Sequence, residues 1–144
     1  MRILITGSRN WTDFRAIHVL IGQKWEALPV GGTLYVRHGA NPNGADSIAQ
    51  TVALWNSSIG VVNEPYPADW EKYGKAAGMI RNAEMIADNG VDEVHAFPLK
   101  ESRGTAGMMN IAANNGIPVY NHGWPGIHVD KPEMVIQVRK SIGE

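Results

Sequence analysis

The chain contains no cysteine among its 144 residues, which excludes a disulfide scaffold and every zinc site built on thiolates. Charge imbalance is also missing. Thirteen Lys and Arg stand against 14 Asp and Glu, giving a net charge of -1. A strong electrostatic nucleic-acid binder carries a basic excess, so nucleic acid is a disfavoured partner, although a local basic patch survives any net balance. No run of about 18 apolar residues occurs, so no membrane helix is expected. Met1 to Gly7 changes character after a few apolar residues, short of the ~7–15-residue core of a signal peptide, and the expected compartment is the cytoplasm. What remains is an ordinary apolar share of 44% on a chain of one-domain length, the composition of a globular protein.

Five apolar strand segments alternate with helical ones. Arg2 to Thr6 reads as a buried first strand ending at Gly7. Thr12 or Asp13 caps a helix with Phe14, Ile17, Leu20, Ile21 and Trp25 on one face, ended by Pro29 and Gly31-Gly32. Thr33 to Arg37 is a second strand. Asn43 or Asp46 starts a second helix that buries Ile48, Val52 and Trp55. Ile59 to Asn63 is a third strand, and Pro65 to Tyr73 a loop. The spacing predicts a helix over 75–89, with Met79, Ile80, Ala83, Ile86 and Ala87 inward and Gly90 as its stop. Glu93 to Phe97, a helix over 105–114 and a strand over 117–120 follow. The pattern lapses over 121–130. Pro132 to Ile142 reads as a helix with Met134, Val135 and Val138 on one side, its β-branched content leaving a strand open.

This order predicts an α/β fold: a Rossmann-like three-layer sandwich, a mostly parallel sheet of about five strands with helices on both faces. One domain over 1–144 is expected, with a core of about 1–121 and an extension over 122–144. Right-handed crossovers place each strand-to-helix loop at the carboxyl edge, where ligands bind.

Three of those loops hold unusual residues. Gly7, Ser8 and Arg9 follow the first strand, where exposed N–H groups and a guanidinium suit phosphate. His38, Gly39, Gly44 and Asp46 follow the second. Asp46 is either an acceptor for ribose hydroxyls, an anchor for its loop, or a carboxylate favoured by the helix dipole. His38 is either a base or a packed strand-end side chain, and no second histidine stands at metal-ligand spacing from it. Ser102, Arg103, Gly104 and Thr105 follow the fourth strand and supply donors at a helix start. No Walker loop or dinucleotide fingerprint is present. Inside the 75–89 helix, Arg81 and Asn82 interrupt the apolar pattern. Arg81 either pairs with Glu84 or faces a phosphate. Trp70 and Tyr73 are candidates to stack on a base or to plug the core. No metal site and no cofactor motif are read; a nucleotide ligand is expected.

Together, Thr6-Gly7-Ser8-Arg9 with Trp11, His38-Gly39-Ala40 with Gly44-Ala45-Asp46, Ala77-Gly78 with Arg81-Asn82, and Ser102-Arg103-Gly104-Thr105 resemble the YspA-like branch of the SLOG superfamily, named for the Smf/DprA and Lonely-guy proteins. The resemblance runs in order from about Met1 to Tyr120. It implies a Rossmann-like domain that binds nucleotides or nucleotide-derived ligands, in a group found in bacterial and phage genomes. It also implies a homodimer formed through helices beside the pocket.

Lonely-guy relatives are phosphoribohydrolases with Met-x-x-Arg-Lys-x-x-Met on one helix and Pro-Gly-Gly-x-Gly-Thr-x-x-Glu downstream. Met79, Arg81-Asn82 and Met85 resemble the first pattern, and Pro98 with Gly104-Thr105 the second. The glutamate falls at Met108, which is not acidic. Cleavage of the N-glycosidic bond passes through an oxocarbenium-like state that needs a carboxylate, and Arg81 cannot act as a base. Asp46, Glu84 and Glu101 are the candidates, with Arg81 as a phosphate holder. The sequence thus leads to a nucleotide-ligand binding or sensing domain. The alternatives are an enzyme cleaving a nucleotide or an NAD derivative, and a single-stranded DNA binder.

Overall fold

The computed structural model describes residues 1–138. Six strands, β1 (Arg2–Gly7), β2 (Leu34–His38), β3 (Val61–Pro65), β4 (Glu93–Phe97), β5 (Val119–Asn121) and β6 (Val135–Gln137), form one sheet in the order β3-β2-β1-β4-β5-β6. Every neighbouring pair is parallel. This is the doubly wound order, and the strand sequence reverses between β1 and β4. The expected Rossmann-like α/β sandwich is the fold, with one strand more than the sequence suggested.

β1 explains why the sheet needs two covers. Ile3 and Ile5 point into one core and Leu4 into the other, all fully buried, as befits an inner parallel strand. The first core is closed by α1 (Phe14–Glu26) and α2 (Gly44–Trp55). The second is closed by α4 (Ala77–Ala87) and α5 (Arg103–Asn114). A one-turn helix, α3 (Trp70–Tyr73), capped by Asp69, sits in the long connection after β3. Asp13 caps α1, its Oδ1 accepting from Ala16 N–H at 3.2 Å.

Several expectations are corrected. On α2 the buried stripe is Ala45, Ala49, Val52 and Ala53, while Trp55 is 65% exposed. The small residues let the helix lie close to the sheet, and the indole is left at the rim against Phe14. Ile59 belongs to a 3-10 turn and is exposed, so β3 begins two residues later than read. On α4 the inward face holds Ala77, Asn82 and Met85, with Met79 76% exposed. The helix is therefore turned so that Asn82 and Met85, rather than Met79, face inward. Pro132–Met134 is a 3-10 turn leading into β6, in place of a helix; the part of that reading beyond Val138 lies outside the described residues. Ile127 and Val135 pack in the second core, so the segment after β5 completes the sheet.

Arg37 is the largest fully buried side chain. Its Nη1 donates to Met85 O at 2.7 Å and to Asp88 O, the carbonyls that the end of α4 leaves open. Its Nε donates to Glu64 Oε1 at 3.2 Å, which also accepts from Arg2. The side chain lies over the Tyr66 ring. A cation at a helix C-terminus is favourably placed, and here it bolts α4 to β2.

Candidate functional site

The loops at the switch point bond to one another in a closed ring. Ser8 N–H donates to Phe97 O at 3.1 Å, and Ser8 Oγ accepts from Leu99 N–H at 2.9 Å, tying the β1 loop to the β4 loop. Ala45 N–H donates to Ser8 O, tying α2 to the β1 loop. Arg81 Nη1 donates to Gly39 O at 2.6 Å and to Tyr66 O at 3.3 Å, tying α4 to the β2 and β3 loops. Arg81 Nε donates to Asn82 Oδ1, and Asn82 Nδ2 reaches Gly104 O on α5 at 3.4 Å. Arg81 forms no ion pair with Glu84 among the described residues.

Two glycines make these approaches feasible. A Cβ on Gly39 would stand 2.6 Å from Arg81 Nη1. Gly44 has φ +71°, and its Cβ would lie 2.3 Å from Ser8 O and 2.5 Å from Arg9 Cα. The left-handed backbone alone costs an alanine about 1–2 kcal/mol. Gly44→Ala is expected to lose at least that much and to displace the β1 loop, as measured by urea unfolding. Gly104→Ala, whose Cβ meets nothing within 4 Å on a helix, should be neutral or stabilising. Equal stability of the two variants would refute this packing.

Asp46 sits in the first turn of α2 and holds the loop before it, Oδ2 accepting from Asn41 N–H at 3.2 Å. Burial pushes its carboxyl up, while N–H donors of Asn41 and Gly39 and the charges of His38 and Arg81 pull it down. Burial likewise lowers the Arg81 pKa, opposed by Asp46. His38 is fully buried. Its Nδ1 accepts from Ala40 N–H at 3.0 Å, so its Nε2–H donates to Asn63 Oδ1 at 2.7 Å. Both ring nitrogens are engaged, and burial lowers its pKa.

Ser102 caps α5, its Oγ near Thr105 N–H and Oγ1, and Thr105 is buried. The N–H groups of Arg103 and Gly104 have no protein partner among the described residues, nor have the exposed guanidiniums of Arg9 and Arg103. Gly7, Ser8, Gly39, Gly44, Asp46, Arg81, Asn82 and Gly104 are thus brought into one ring, while His38 is packed behind it. Arg81, Glu84 and Tyr73 line a polar recess of about 200 Å³ under α3. Trp70 is 62% exposed and lies across Gly78, outside that recess and outside the core. Glu101 accepts from His128 N–H, holding the segment after β5. Met108, where the Lonely-guy pattern would place its glutamate, is fully buried in the second core.

Sequence reading missed a second cavity on the same edge. It has about 570 Å³ and lies between the start of α1 and the ends of β4, β5 and β6. His122 lines it, stacked on Phe97 with centroids 4.7 Å apart. Behind His122 runs a chain of polar side chains. His95 Nδ1 meets His122 Nε2 at 2.8 Å, His95 Nε2 meets Glu93 Oε1 at 2.9 Å, and Lys24 Nζ meets the same oxygen at 2.8 Å. Hydrogen bonding from His95 and Lys24 holds the Glu93 carboxyl down at about 2. Burial lowers both histidines, His122 to about 4. The signal in the sequence was alternation: Glu93, His95 and Phe97 share one face of β4, Tyr120 of β5 is the register partner of His95, and His122 follows directly after β5 with its N–H bonded to Ala96 O.

The family model described as the YspA, cpYpsA-related SLOG family matches residues 1–73, which span β1 to α3 and include the first two loops of the ring. The Gene 61 protein of Mycobacterium phage D29 is 41% identical over 133 residues, covering 91% of this chain and 98% of that protein. No solved structure matches. With a family model over half its length and a near full-length relative at that identity, the chain belongs to the YspA, cpYpsA-related SLOG family.

Proposed function

We propose that the ring at the switch point binds a nucleotide or nucleotide-derived ligand by its phosphate, as a binding or sensing domain. The observation that carries this reading is the start of α5. Arg103 and Gly104 N–H groups face outward unpaired beside the switch point, where a helix dipole and free donors favour an anion. The exposed Arg9 and Arg103 guanidiniums add charge to the same edge. The ring has a second role: it sets the loops before a ligand arrives. Family membership supports the nucleotide part of the reading.

Thermal shift against AMP, ADP, ATP, NAD, ADP-ribose, cyclic nucleotides and short single-stranded DNA tests it. A ligand at 100 times its Kd adds about 2.7 kcal/mol, which is several degrees for this length. Gly104→Asp is the decisive variant. Its side chain has open space, and a carboxylate in a first helical turn stabilises the helix. It should keep its melting temperature while losing at least tenfold in affinity. Arg81→Ala should lose affinity too, although it also removes the bonds to Gly39 and Tyr66. Full affinity in Gly104→Asp, or no shift with any nucleotide, would overturn the proposal.

A cleaving enzyme is a second reading, favoured by one observation: Glu84 shares the polar recess with Arg81 and Tyr73. Of the other candidates, Asp46 Oδ2 is taken by Asn41 and Glu101 by His128. Chromatography of the bound ligand after incubation separates the readings, free base marking turnover.

A further inference from the structure

The 570 Å³ cavity is of small-molecule size. Its walls are mainly apolar, with Trp11 and Trp124 among them. Trp11 is fixed, its ring edge-on to Phe97 and its Nε1–H donated to Asp13 O at 2.9 Å.

Most of the unpaired side-chain polar atoms on the wall are acceptors. Glu93 is ionised, so His95 Nε2 carries the hydrogen shared with it. His95 Nδ1 then accepts, and His122 Nε2 donates. That leaves the His122 Nδ1 lone pair. It has no protein partner among the described residues, and no buried side-chain nitrogen or oxygen there is unpartnered, so this atom is accessible, on a residue that lines the cavity. Asp13 uses only Oδ1 in capping α1. Gln137 turns its Nε2 to Asn121 O and Gly123 O, which leaves Oε1 free. Three side chains therefore offer unpaired acceptors: an imidazole nitrogen, a carboxylate oxygen and an amide oxygen. Among the lining side chains one unpaired donor, Trp124 Nε1, stands against them, and the Thr12 hydroxyl serves either way; the Thr12 and Asp13 N–H groups at the start of α1 are further donors at the rim.

We propose that this cavity is a second ligand site, separate from the phosphate ring, that takes a planar nitrogen heteroaromatic carrying N–H donors, with His122 Nδ1 accepting one of them. The apolar walls take the ring faces, and a positive charge on the ligand gains from Asp13 and from the indoles. Glu93 and His95 are positioning residues: they touch no ligand and set which nitrogen of His122 carries its hydrogen. The sheet supplies this alignment, because His95 and Tyr120 are register partners and their rings stack at 4.9 Å.

The probe is 2-aminobenzimidazole, planar and rich in N–H donors, with benzoate, planar and acceptor-bearing, as its counterpart. In amide-resolved NMR of the whole chain, 2-aminobenzimidazole should shift Gly123, Trp124 and Gln137, and benzoate should not. His122→Phe keeps a ring against Phe97 and deletes the acceptor; affinity should fall at least tenfold. Gly104→Asp should leave the probe's affinity unchanged, which keeps this site distinguishable from the phosphate ring. Imidazole nitrogen shifts of the wild type should report hydrogen on His122 Nε2 and a displaced Nδ1 signal when the probe binds, a readout that does not need the variant to fold. No shifts at those amides, equal shifts with benzoate, unchanged affinity in His122→Phe, or hydrogen on Nδ1 in the free protein would overturn the proposal.

Discussion

Arg37→Ala is expected to destabilise the domain by about 3–5 kcal/mol, from two buried carbonyls left without a donor at roughly 1–3 kcal/mol each and from the cavity left behind. The loss has three parts. The carbonyls of Met85 and Asp88 lose their donor, a void opens beneath Tyr66, and α4 loses its attachment to β2. Glu64 keeps both bonds from Arg2, so no carboxylate is stranded. Arg37→Met refills the volume and should recover part of the loss, because shape and polar satisfaction contribute separately. Since α4 carries Arg81 and Asn82, ligand affinity should fall along with stability. Urea unfolding checks the first effect and nucleotide titration the second. A change of less than about 1 kcal/mol in Arg37→Ala would show that the guanidinium is not what holds the helix.

Stability should fall steeply on mild acidification. Buried histidines set the sign: His38, His95 and His122 all have folded pKa values below the ordinary value. Protons then bind the unfolded chain first, and stability present above about 6.5 is lost as pH falls through the folded values. For His122 the window runs from 6.5 to about 4. At full weight that is about 3 kcal/mol, reduced by the partial exposure of its ring. Glu93 acts in the same direction lower down, its contribution disappearing as pH falls from 4.5 through about 2. Asp46, with its carboxyl raised, relieves part of the loss. Melting temperatures at pH 7.5, 6, 5 and 4.5 should decline progressively, and His122→Phe should flatten part of the slope. A constant melting temperature from pH 7.5 to 5 would refute the buried neutral state of these rings.

Sequence periodicity located elements whose apolar residues mark the buried side. β4 has the bounds read for it, and α1 buries Ile17, Leu20 and Ile21 as read. It misplaced elements whose inward face is polar or small. α4 turns Asn82 inward because Gly104 O awaits it and Arg81 reaches Gly39, contacts set by partners 22 and 42 residues away. α2 buries alanines, so Trp55 stays outside despite its hydrophobicity. The loops of the candidate site were legible as glycine and donor clusters, but the bonds that join them were not. Ser8 Oγ meets Leu99 N–H across 91 residues of chain. The histidine chain was hidden because its members lie on β4 and directly after β5, and only the β4–β5 register brings them together.

The position of β1 bears on how the chain is made. It is written first yet sits mid-sheet, with β2 on one side and β4 on the other. During synthesis, β1 to β3 can assemble early, because β1 pairs directly with β2 and β2 with β3. Until β4 emerges, the other edge of β1 shows open backbone beside Ile3, Leu4 and Ile5. An open apolar edge is a template for pairing with another chain. Pairing with Glu93–Phe97 covers that edge in the folded sheet. The same pairing brings Phe97 O to Ser8 N–H, so covering the β1 edge and closing the ring of loops are one structural step.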